Sequence, residues 1–313
     1  MTSALDIAAI RAAATTIASE VRHTPMVLAE HDKVRLGGRV LMKLECLQVT
    51  GSFKPRGAMN TLRSLDPSEI HRGIITASGG NHGLAVAYAG YVAGAPATIF
   101  LPTSVSKAKI AKLEAWGATV VVEGAVWDEA NRAALDEAER RGLTYIHPFA
   151  DARVIAGQGT LGLEILEQAP DLDTILVAIG GGGLIAGIAL AVKAVKPAIK
   201  VIGIEPTGAP TLYESLKAKK LVELARIDTA AGTLAPRKSA AINLEIIGKY
   251  VDEILLVSDE EMRDAARWLW FEHGIAAELS GAASLALLLS GRYKPKQAET
   301  VCALVCGAGT DGL

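Results

Sequence analysis

GSFKPRGA, residues 51–58, places a single lysine between a phenylalanine and a proline, with a glycine near each end. A lysine that only solubilises a surface has no need of such neighbours. The apolar Phe53 and the cationic Arg56 would both lower the pKa of the Lys54 amine, and a neutral amine is a nucleophile. Lys54 is therefore a candidate reactive lysine, provided that the rest of the chain supplies a suitable partner.

Around this stretch, short apolar runs alternate with segments whose apolar residues recur every three or four positions. That alternation predicts parallel β-sheets with helices on both faces. The runs predicted to be strands are residues 40–45, 73–78, 97–102, 119–124, 144–148, 174–179, 200–205, 253–258 and 301–306. Because these are too many for one small sheet, we predict an α/β fold of two doubly wound, mainly parallel domains. Residues 70–148 would form the small domain and residues 1–69 plus 149–313 the large one, with the active site in the cleft between them.

A run of glycines follows the predicted strand at residues 174–179 and precedes a helical pattern. The glycines are Gly180, Gly181, Gly182 and Gly183. Such a backbone directs several N–H groups at an anion, and the helix dipole adds partial positive charge there. A flexible turn would need two glycines at most, so the run predicts a phosphate site.

The same run is also compatible with a dinucleotide site. Gly181, Gly183 and Ala186 match the G-x-G-x-x-A fingerprint. Glu205 ends the next predicted strand, where an acid would bind a ribose. An NAD-dependent oxidoreductase is therefore an alternative, although it leaves Lys54 without a role.

A second glycine loop lies in GIITASGGNHGLAVAYAG, residues 73–90, with Ser78, Asn81 and His82 at the predicted start of a helix. Its N–H groups suit a carboxylate as well as a phosphate. A phosphate loop, a carboxylate loop and a reactive lysine are together what pyridoxal-phosphate chemistry on an amino acid requires.

The composition argues against several other classes. With 313 residues and a net charge of -2, the chain gives no electrostatic reason to expect a nucleic acid or an anionic membrane as a partner. No segment reaches the ~18 apolar residues of a membrane span. The N-terminal segment predicts an amphipathic helix capped by Ser3, not a signal peptide. Three cysteines without a CxxC pair indicate a cytoplasmic protein.

Two further sets of residues predict no site of their own. The histidines have no H-x-x-x-H pair of the kind that binds zinc, and we predict no metal. The tryptophans sit in helical patterns typical of a core or an interface; they are Trp116, Trp127, Trp268 and Trp270.

Four motifs together resemble one family. They are TGSFKPRGAMN at 50–60, SGGNHG at 78–83, AGQGT at 156–160 and GGGGLIAG at 180–187. This combination resembles the serine/threonine dehydratase family, fold-type II pyridoxal-phosphate enzymes with a tryptophan synthase β-like fold, a group that includes serine racemase. The resemblance covers essentially the whole chain and implies pyridoxal 5′-phosphate as the cofactor, a small amino acid as the substrate, and a homodimer.

The implied reaction is β-elimination from L-threonine or L-serine. Lys54 would hold the cofactor aldehyde as a Schiff base and, once displaced by the substrate amine, would remove the α-proton. Loss of the β-hydroxyl then leads to a 2-oxo acid and ammonia. Two variants are a racemase and an ammonia-lyase for 3-hydroxyaspartate or a bulkier β-hydroxy amino acid. A catalytically silent cofactor-binding protein is an alternative from another class.

The resemblance also implies a role for individual residues. Phe53 would pack near the cofactor ring and Asn81 would hydrogen-bond its 3′-oxygen. Gly232 would bring its backbone near the cofactor, and Cys306 would face the pyridine nitrogen, with Thr310 as the alternative. The cofactor phosphate would be held by Gly180, Gly181, Gly182, Gly183 and Leu184. The substrate carboxylate would be held by Ser78, Gly79, Asn81 and His82.

The chain departs from the family pattern in three places. Racemases of this group carry a second acid–base serine where this chain has Gly79, so racemisation ranks below deamination. The metal site of racemase-like members uses a glutamate, matched by Glu205, and an aspartate where this chain has Thr211. Residues 229–242 depart most, and they lie where substrate side chains are expected to be sorted.

Overall fold

The computed structural model describes residues 5–30 and 36–313. Within these ranges the helices are α1 (Ile7–Ile17), α2 (Lys54–Arg63), α3 (Pro67–Arg72), α4 (Asn81–Ala93), α5 (Lys107–Glu114), α6 (Trp127–Arg141), α7 (Ala152–Gln168), α8 (Gly183–Val195), α9 (Thr211–Ala218), α10 (Ala241–Tyr250), α11 (Asp259–His273) and α12 (Leu279–Leu289). The strands are β1 (Met26–Leu28), β2 (Arg39–Leu44), β3 (Ile74–Ala77), β4 (Ala97–Leu101), β5 (Thr119–Val122), β6 (Thr144–Tyr145), β7 (Thr174–Ala178), β8 (Lys200–Pro206), β9 (Glu253–Val257) and β10 (Thr300–Val305).

The strands form two sheets. The larger sheet has the order β1-β2-β10-β7-β8-β9 and the smaller one has the order β5-β4-β3-β6. Neighbouring strands are parallel except for β1, which pairs antiparallel with β2. Every run predicted to be a strand overlaps one. The predicted α/β fold with mainly parallel, doubly wound sheets is therefore confirmed.

Strand β1 is the part of the larger sheet that sequence analysis missed. It has only three residues and lies partly exposed at the edge of the sheet. Three residues are too few to display the alternation that predicts a strand. The central strands, in contrast, are buried along their length, and Ile175, Leu176 and Val177 of β7 have no exposed surface. Burial on both faces explains their continuous apolar sequence.

The four strands of the smaller sheet all lie within residues 70–148. The hydrophobic core around this sheet nevertheless includes residues from outside 70–148, because Ala58, Met59 and Leu62 of α2 belong to the same cluster as β3 and α4. The division into two domains at these boundaries stays a prediction.

The N-terminal helix is present, and its cap differs from the predicted one. The Asp6 carboxylate accepts a hydrogen bond of 2.9 Å from the backbone N–H of Ala9 at the start of α1. The predicted cap, Ser3, lies outside the described residues. None of the helices in the described ranges is both long and apolar enough to cross a membrane.

Four buried charged side chains meet next to the lysine stretch: Lys43 on β2, Glu45 after it, Arg56 on α2 and Glu164 on α7. Arg56 donates two hydrogen bonds to Glu45, at 2.7 and 2.8 Å, and one of 2.8 Å to Glu164. Lys43 Nζ lies 2.5 Å from Glu164 Oε1. We call this set the ion network. Its two cations and two carboxylates balance in charge.

The ion network attaches the start of α2 to β2 and to α7. Thr24 donates its hydroxyl to Glu45 at 2.6 Å and its backbone N–H to Glu164 at 2.9 Å, so the carboxylates have further donors. Buried ions are tolerated only when their partners are all present, and the turn that carries Lys54 is therefore held in one position. The expectation that Arg56 lowers the pKa of Lys54 is wrong, because the Arg56 guanidinium is directed into this network.

Replacement Arg56→Met is expected to lower the free energy of unfolding by about 3–5 kcal/mol, because it leaves two buried carboxylates facing one lysine. Urea denaturation measures this change. The control is Arg226→Met, whose ion pair with Asp228 is 83% and 74% exposed and should contribute about 0–1 kcal/mol. Similar small losses in both variants would contradict a stabilising role for the ion network.

Candidate active site

Lys54 is the first residue of α2, and Pro55 follows it at the start of the helix. The Lys54 Nζ donates a hydrogen bond of 2.7 Å to the carbonyl of Pro148 and lies 5.1 Å from the centroid of the Phe53 ring. The predicted apolar wall is therefore present beside the amine. Burial lowers the pKa of Lys54 to about 8, while Cys306 and Glu278 act in the opposite direction. A useful fraction of the amine is consequently neutral near pH 7.

The glycine loop after β7 forms a cradle of backbone N–H groups. Gly182 has a φ of 96° and is the N-cap of α8, so no side chain caps the first N–H groups of that helix. The Gly181 carbonyl accepts hydrogen bonds from Ser239 Oγ at 2.8 Å and from Asn243 Nδ2 at 2.7 Å. In a trans peptide the next N–H, of Gly182, points the opposite way. The start of α8 thus presents its N–H groups as an anion site.

Phe149 explains why Gly181 has no side chain. A Cβ at Gly181 would lie 2.2 Å from the Phe149 ring, so any other residue would displace either the ring or the loop. Asn243 Nδ2 also donates to the Phe149 carbonyl at 3.1 Å. The segment that accepts the Lys54 hydrogen bond at Pro148 therefore also supports the glycine cradle. Leu184, the last predicted member of the cradle, is buried on α8.

The loop at the end of β3 resembles the cradle in construction. Helix α4 begins at Asn81, and its N-cap, Gly80, has no side chain. Ser78 Oγ accepts a hydrogen bond of 3.3 Å from the Gly80 N–H, which folds the loop back on itself. Asn81 Nδ2 donates to Glu278 Oε1 at 2.8 Å. We call residues 78–82 the carboxylate loop.

The side chain of His82 is turned into the protein. Its Nε2 lies 2.9 Å from the Ile146 carbonyl, and burial together with Lys54 lowers its pKa to about 3. His147 is similar: burial and Lys54 lower its pKa to about 4, and its Nδ1 accepts from the Phe149 and Ala150 N–H groups. Both rings are therefore neutral near pH 7. His82 has only its backbone to offer a substrate.

Cys306 lies at the end of β10 beside the lysine. Its carbonyl accepts a hydrogen bond of 3.3 Å from the Phe53 N–H, and its thiol lies 3.4 Å from the Ser280 carbonyl. Burial raises the pKa of Cys306, so the group is a neutral thiol. Thr310, the alternative to Cys306 in the sequence analysis, is exposed.

Glu278 is a site residue to which sequence analysis gave no role. Its carboxylate accepts from Asn81 and from Ser280 Oγ, and burial raises its pKa. A Cβ at Gly307 would lie 2.3 Å from Glu278 Oε1, so the glycine after Cys306 makes room for this carboxylate. A glutamate directly before the apolar helix α12 was the available sequence signal. Its partner is almost two hundred positions away, and no local pattern reveals it.

Residues 229–242 lie over the glycine cradle. A Cβ at Gly180 would meet the Thr233 carbonyl at 2.6 Å, and Ser239 bonds the Gly181 carbonyl. Gly232 begins a short 3-10 turn, and a Cβ there would meet open space. This stretch is therefore part of the site's wall.

Glu205 does not face a ligand site. It is fully buried, accepts from the backbone N–H groups of Leu212 and Tyr213 at 2.8 and 2.7 Å, and so caps α9. Burial raises its pKa to about 7. Its carboxylate is consequently not presented to a ribose. Within the described residues, no cluster of three or more histidine, cysteine or acidic side chains is suited to a metal.

These groups fit a phosphorylated pyridine aldehyde. The cradle can hold the phosphate, Lys54 is an amine of lowered pKa, Asn81 has a second amide hydrogen to donate, and Cys306 offers a neutral thiol. The carboxylate loop remains for an amino acid.

Comparison with known proteins points the same way. Residues 17–307 match the family described as pyridoxal-phosphate dependent enzyme. An L-threonine ammonia-lyase from Thermotoga maritima is 40% identical over 281 residues, which cover 90% of this chain and 70% of that protein.

Two solved structures have closely similar folds. Maize serine racemase superposes with a TM-score of 0.92 at 35% identity, covering 97% of this chain and 94% of that one. The processed form of threonine deaminase isoform 2 from Solanum lycopersicum superposes with a TM-score of 0.92 at 36% identity, covering 97% and 83%.

Lys54 is expected to react with aldehydes at lower pH than an ordinary lysine. Because only the neutral amine attacks a carbonyl, its modification rate should rise about tenfold per pH unit and level off above about pH 8. Cofactor-stripped protein, treated with pyridoxal phosphate and a borohydride and analysed by peptide mass spectrometry, measures this rate. Lys249, exposed and 5.0 Å from the Tyr250 ring, is the internal control. Coincident pH curves for the two lysines would contradict the lowered pKa.

Proposed function

The chain belongs to the pyridoxal-phosphate dependent enzyme family, and from that premise we propose that it is an ammonia-lyase that converts L-threonine or L-serine to a 2-oxo acid and ammonia. The observation that carries this proposal is the position of Lys54, a lysine of lowered pKa that lies with a phosphate cradle and a carboxylate loop. The names of the Thermotoga maritima and Solanum lycopersicum relatives support the reaction.

Pyridoxal 5′-phosphate, when bound, supplies an electron sink for bond breaking at the substrate α-carbon. The N–H groups of residues 180–184 would hold its phosphate, and Asn81 and Cys306 would face its ring. Because Cys306 is a neutral thiol, it would leave the pyridine nitrogen largely unprotonated. A weaker electron sink favours elimination over reactions that need a long-lived carbanion.

Lys54 would move the proton. With a pKa of about 8, its amine can accept the α-proton near neutral pH, and the Pro148 carbonyl 2.7 Å away stabilises the resulting ammonium. The β-hydroxyl then leaves as water, taking up a proton equivalent to the one that Lys54 removed, and a second water molecule releases ammonia to give the 2-oxo acid. Atoms balance, because the water lost in elimination equals the water used in hydrolysis.

The charge at the carboxylate loop supports a substrate with one carboxylate. The loop offers backbone N–H groups and the α4 dipole. His82 and His147 are neutral near pH 7, so neither ring supplies a cation for a second carboxylate. L-threonine and L-serine fit this pattern better than 3-hydroxyaspartate does.

Racemisation is the second candidate, because maize serine racemase is among the similar structures. Gly79 has no proton to give to the face opposite Lys54, and this favours deamination. Residues 229–242, which lie over the cradle, are the part of the wall most suited to select the substrate side chain.

Three further features belong to the same proposal. The active site would lie in a cleft between a small domain, residues 70–148, and a large one made of the remainder. The family resemblance of the four sequence motifs supports a homodimer. The cysteines are buried free thiols, which supports a cytoplasmic location.

Lys54→Ala is expected to lower turnover of L-threonine and L-serine by at least about a hundredfold, because it removes the base. The assay records the visible absorbance of the purified protein and 2-oxo acid formation in the same cuvette. Lys249→Ala, which removes an exposed lysine that also lies beside a neighbouring ring, should leave turnover unchanged. A colourless wild-type protein that takes up no pyridoxal phosphate would refute the proposal.

Gly79→Ser is expected to add racemisation. A Cβ there would lie 3.2 Å from Leu101 and 3.5 Å from Val105, so a serine fits after a small shift. Chiral chromatography should detect D-serine formed from L-serine at a rate at least about tenfold above wild type. Gly79→Ala, which adds the same Cβ without a hydroxyl, is the control. Equal D-serine formation in both variants would contradict the role of position 79.

A further inference from the structure

Trp127 was expected to be a core or interface residue, and the structure excludes the core. It is the first residue of α6 and 46% exposed, next to Val126, which is 54% exposed. Its indole Nε1 donates a hydrogen bond of 2.8 Å to the carbonyl of Ala77. Ala77 is the last residue of β3, and the next residue, Ser78, begins the carboxylate loop.

The Ala77 carbonyl lies beyond the last residue of β3 that pairs with β6. On one side β3 pairs with β4 as far as Ala77. On the other side β6 pairs only with Ile74 and Ile75, and the Ile146 N–H then donates to the Ile75 carbonyl at 2.9 Å. Carbonyls two residues apart on a strand point to the same side. The Ala77 carbonyl therefore points to the β6 side of β3, as the Ile75 carbonyl does, but lies beyond the end of β6. The Trp127 indole supplies the donor that a longer β6 would have supplied.

This hydrogen bond fixes the peptide from which the carboxylate loop departs. The Ala77 carbonyl and the Ser78 N–H belong to one planar unit, so holding the oxygen sets the orientation of the whole unit. The loop is held elsewhere by Asn81 on Glu278 and by His82 on the Ile146 carbonyl, both near its far end. Trp127 is therefore the side chain that holds its near end.

The exposure of Trp127 argues that packing alone does not explain its position. Trp268 on α11 is only 9% exposed and belongs to the large core cluster. A large aromatic ring that is left half in solvent contributes less burial than it would in a core. Its indole N–H is the group that makes the specific contact.

We propose that Trp127 is a positioning residue for the substrate carboxylate, acting through the Ala77 carbonyl on the carboxylate loop. This inference rests on the proposed function, because it assigns the loop to the substrate. It adds a specificity residue on α6 that neither touches the cofactor cradle nor neighbours Lys54 in sequence. Loss of the indole N–H should therefore weaken carboxylate binding and leave proton transfer intact.

The test uses the holoenzyme and Trp127→Phe, which keeps an aromatic ring and removes the donor. We expect KM for L-threonine to rise about five- to tenfold, the effect of one hydrogen bond, with kcat within about twofold of wild type. Cofactor absorbance should stay unchanged, and the thermal midpoint should fall by no more than about 2–4 °C, the effect of the same hydrogen bond on unfolding. Trp270→Phe is the matched control, because Trp270 is 45% exposed and lies on α11.

Propanoate, a monocarboxylate without an amine, gives a second readout that needs no turnover. Its binding to holoenzyme is measured by titration calorimetry, and Trp127→Phe should raise the dissociation constant about five- to tenfold whereas Trp270→Phe should not. This readout separates the two proposals, because it works even if neither amino acid is deaminated.

Four results from the variants would overturn the positioning role. They are unchanged KM and propanoate binding in Trp127→Phe, a fall in kcat at constant KM, an equal effect in Trp270→Phe, and a KM change accompanied by loss of cofactor or by a fall in thermal midpoint of more than about 4 °C. Absence of any propanoate effect on the wild-type protein would also overturn it, since the loop would then not be a carboxylate site.

Discussion

The burial of cations near the start of α2 is the constraint on which the rest of the site depends. Arg56 is surrounded by Glu45 and Glu164, which hold its charge in the core. Lys54, two positions earlier, donates to the Pro148 carbonyl, and none of the described carboxylates is hydrogen-bonded to its amine. Desolvation therefore acts on Lys54 with little compensation and lowers its pKa. The ion pairs of Arg56 hold the turn in place. The turn, in turn, keeps the Lys54 amine in a desolvated environment that lowers its pKa.

Parallel sheets bring the remaining groups to this lysine. The carboxylate loop follows β3, the glycine cradle follows β7 and Cys306 follows β10, each at the carboxyl end of its strand. The glycine cradle and Cys306 lie at one edge of the larger sheet and the carboxylate loop at the corresponding edge of the smaller one, and such edges are where α/β proteins bind ligands. Helices α4 and α8 begin at two of the loops with glycine N-caps and thus leave N–H groups for anions. The fold therefore provides two sets of uncapped backbone N–H groups and one amine of lowered pKa.

Each loop depends on contacts with distant parts of the chain. Ser239 and Asn243 orient the Gly181 carbonyl, and Phe149 supports the cradle from below. Glu278 and Trp127 hold opposite ends of the carboxylate loop. A site built on backbone N–H groups needs such supports, since its binding groups are only as well placed as the peptides that carry them.

The sequence alone determined the features that local patterns encode. Alternation of apolar runs located nine strands, glycines before helices marked the two loops proposed to bind anions, and GSFKPRGA indicated Lys54 as the candidate reactive lysine. It did not reveal β1, because three residues are too few to show an alternating pattern. Nor did it reveal that Arg56 pairs with Glu164, which lies over a hundred positions away. The inward turn of His82 and the contacts of Glu278 and Trp127 were decided by tertiary structure for the same reason. Local chemistry sets what a segment can do, whereas long-range packing decides which group each side chain meets and hence its charge and orientation.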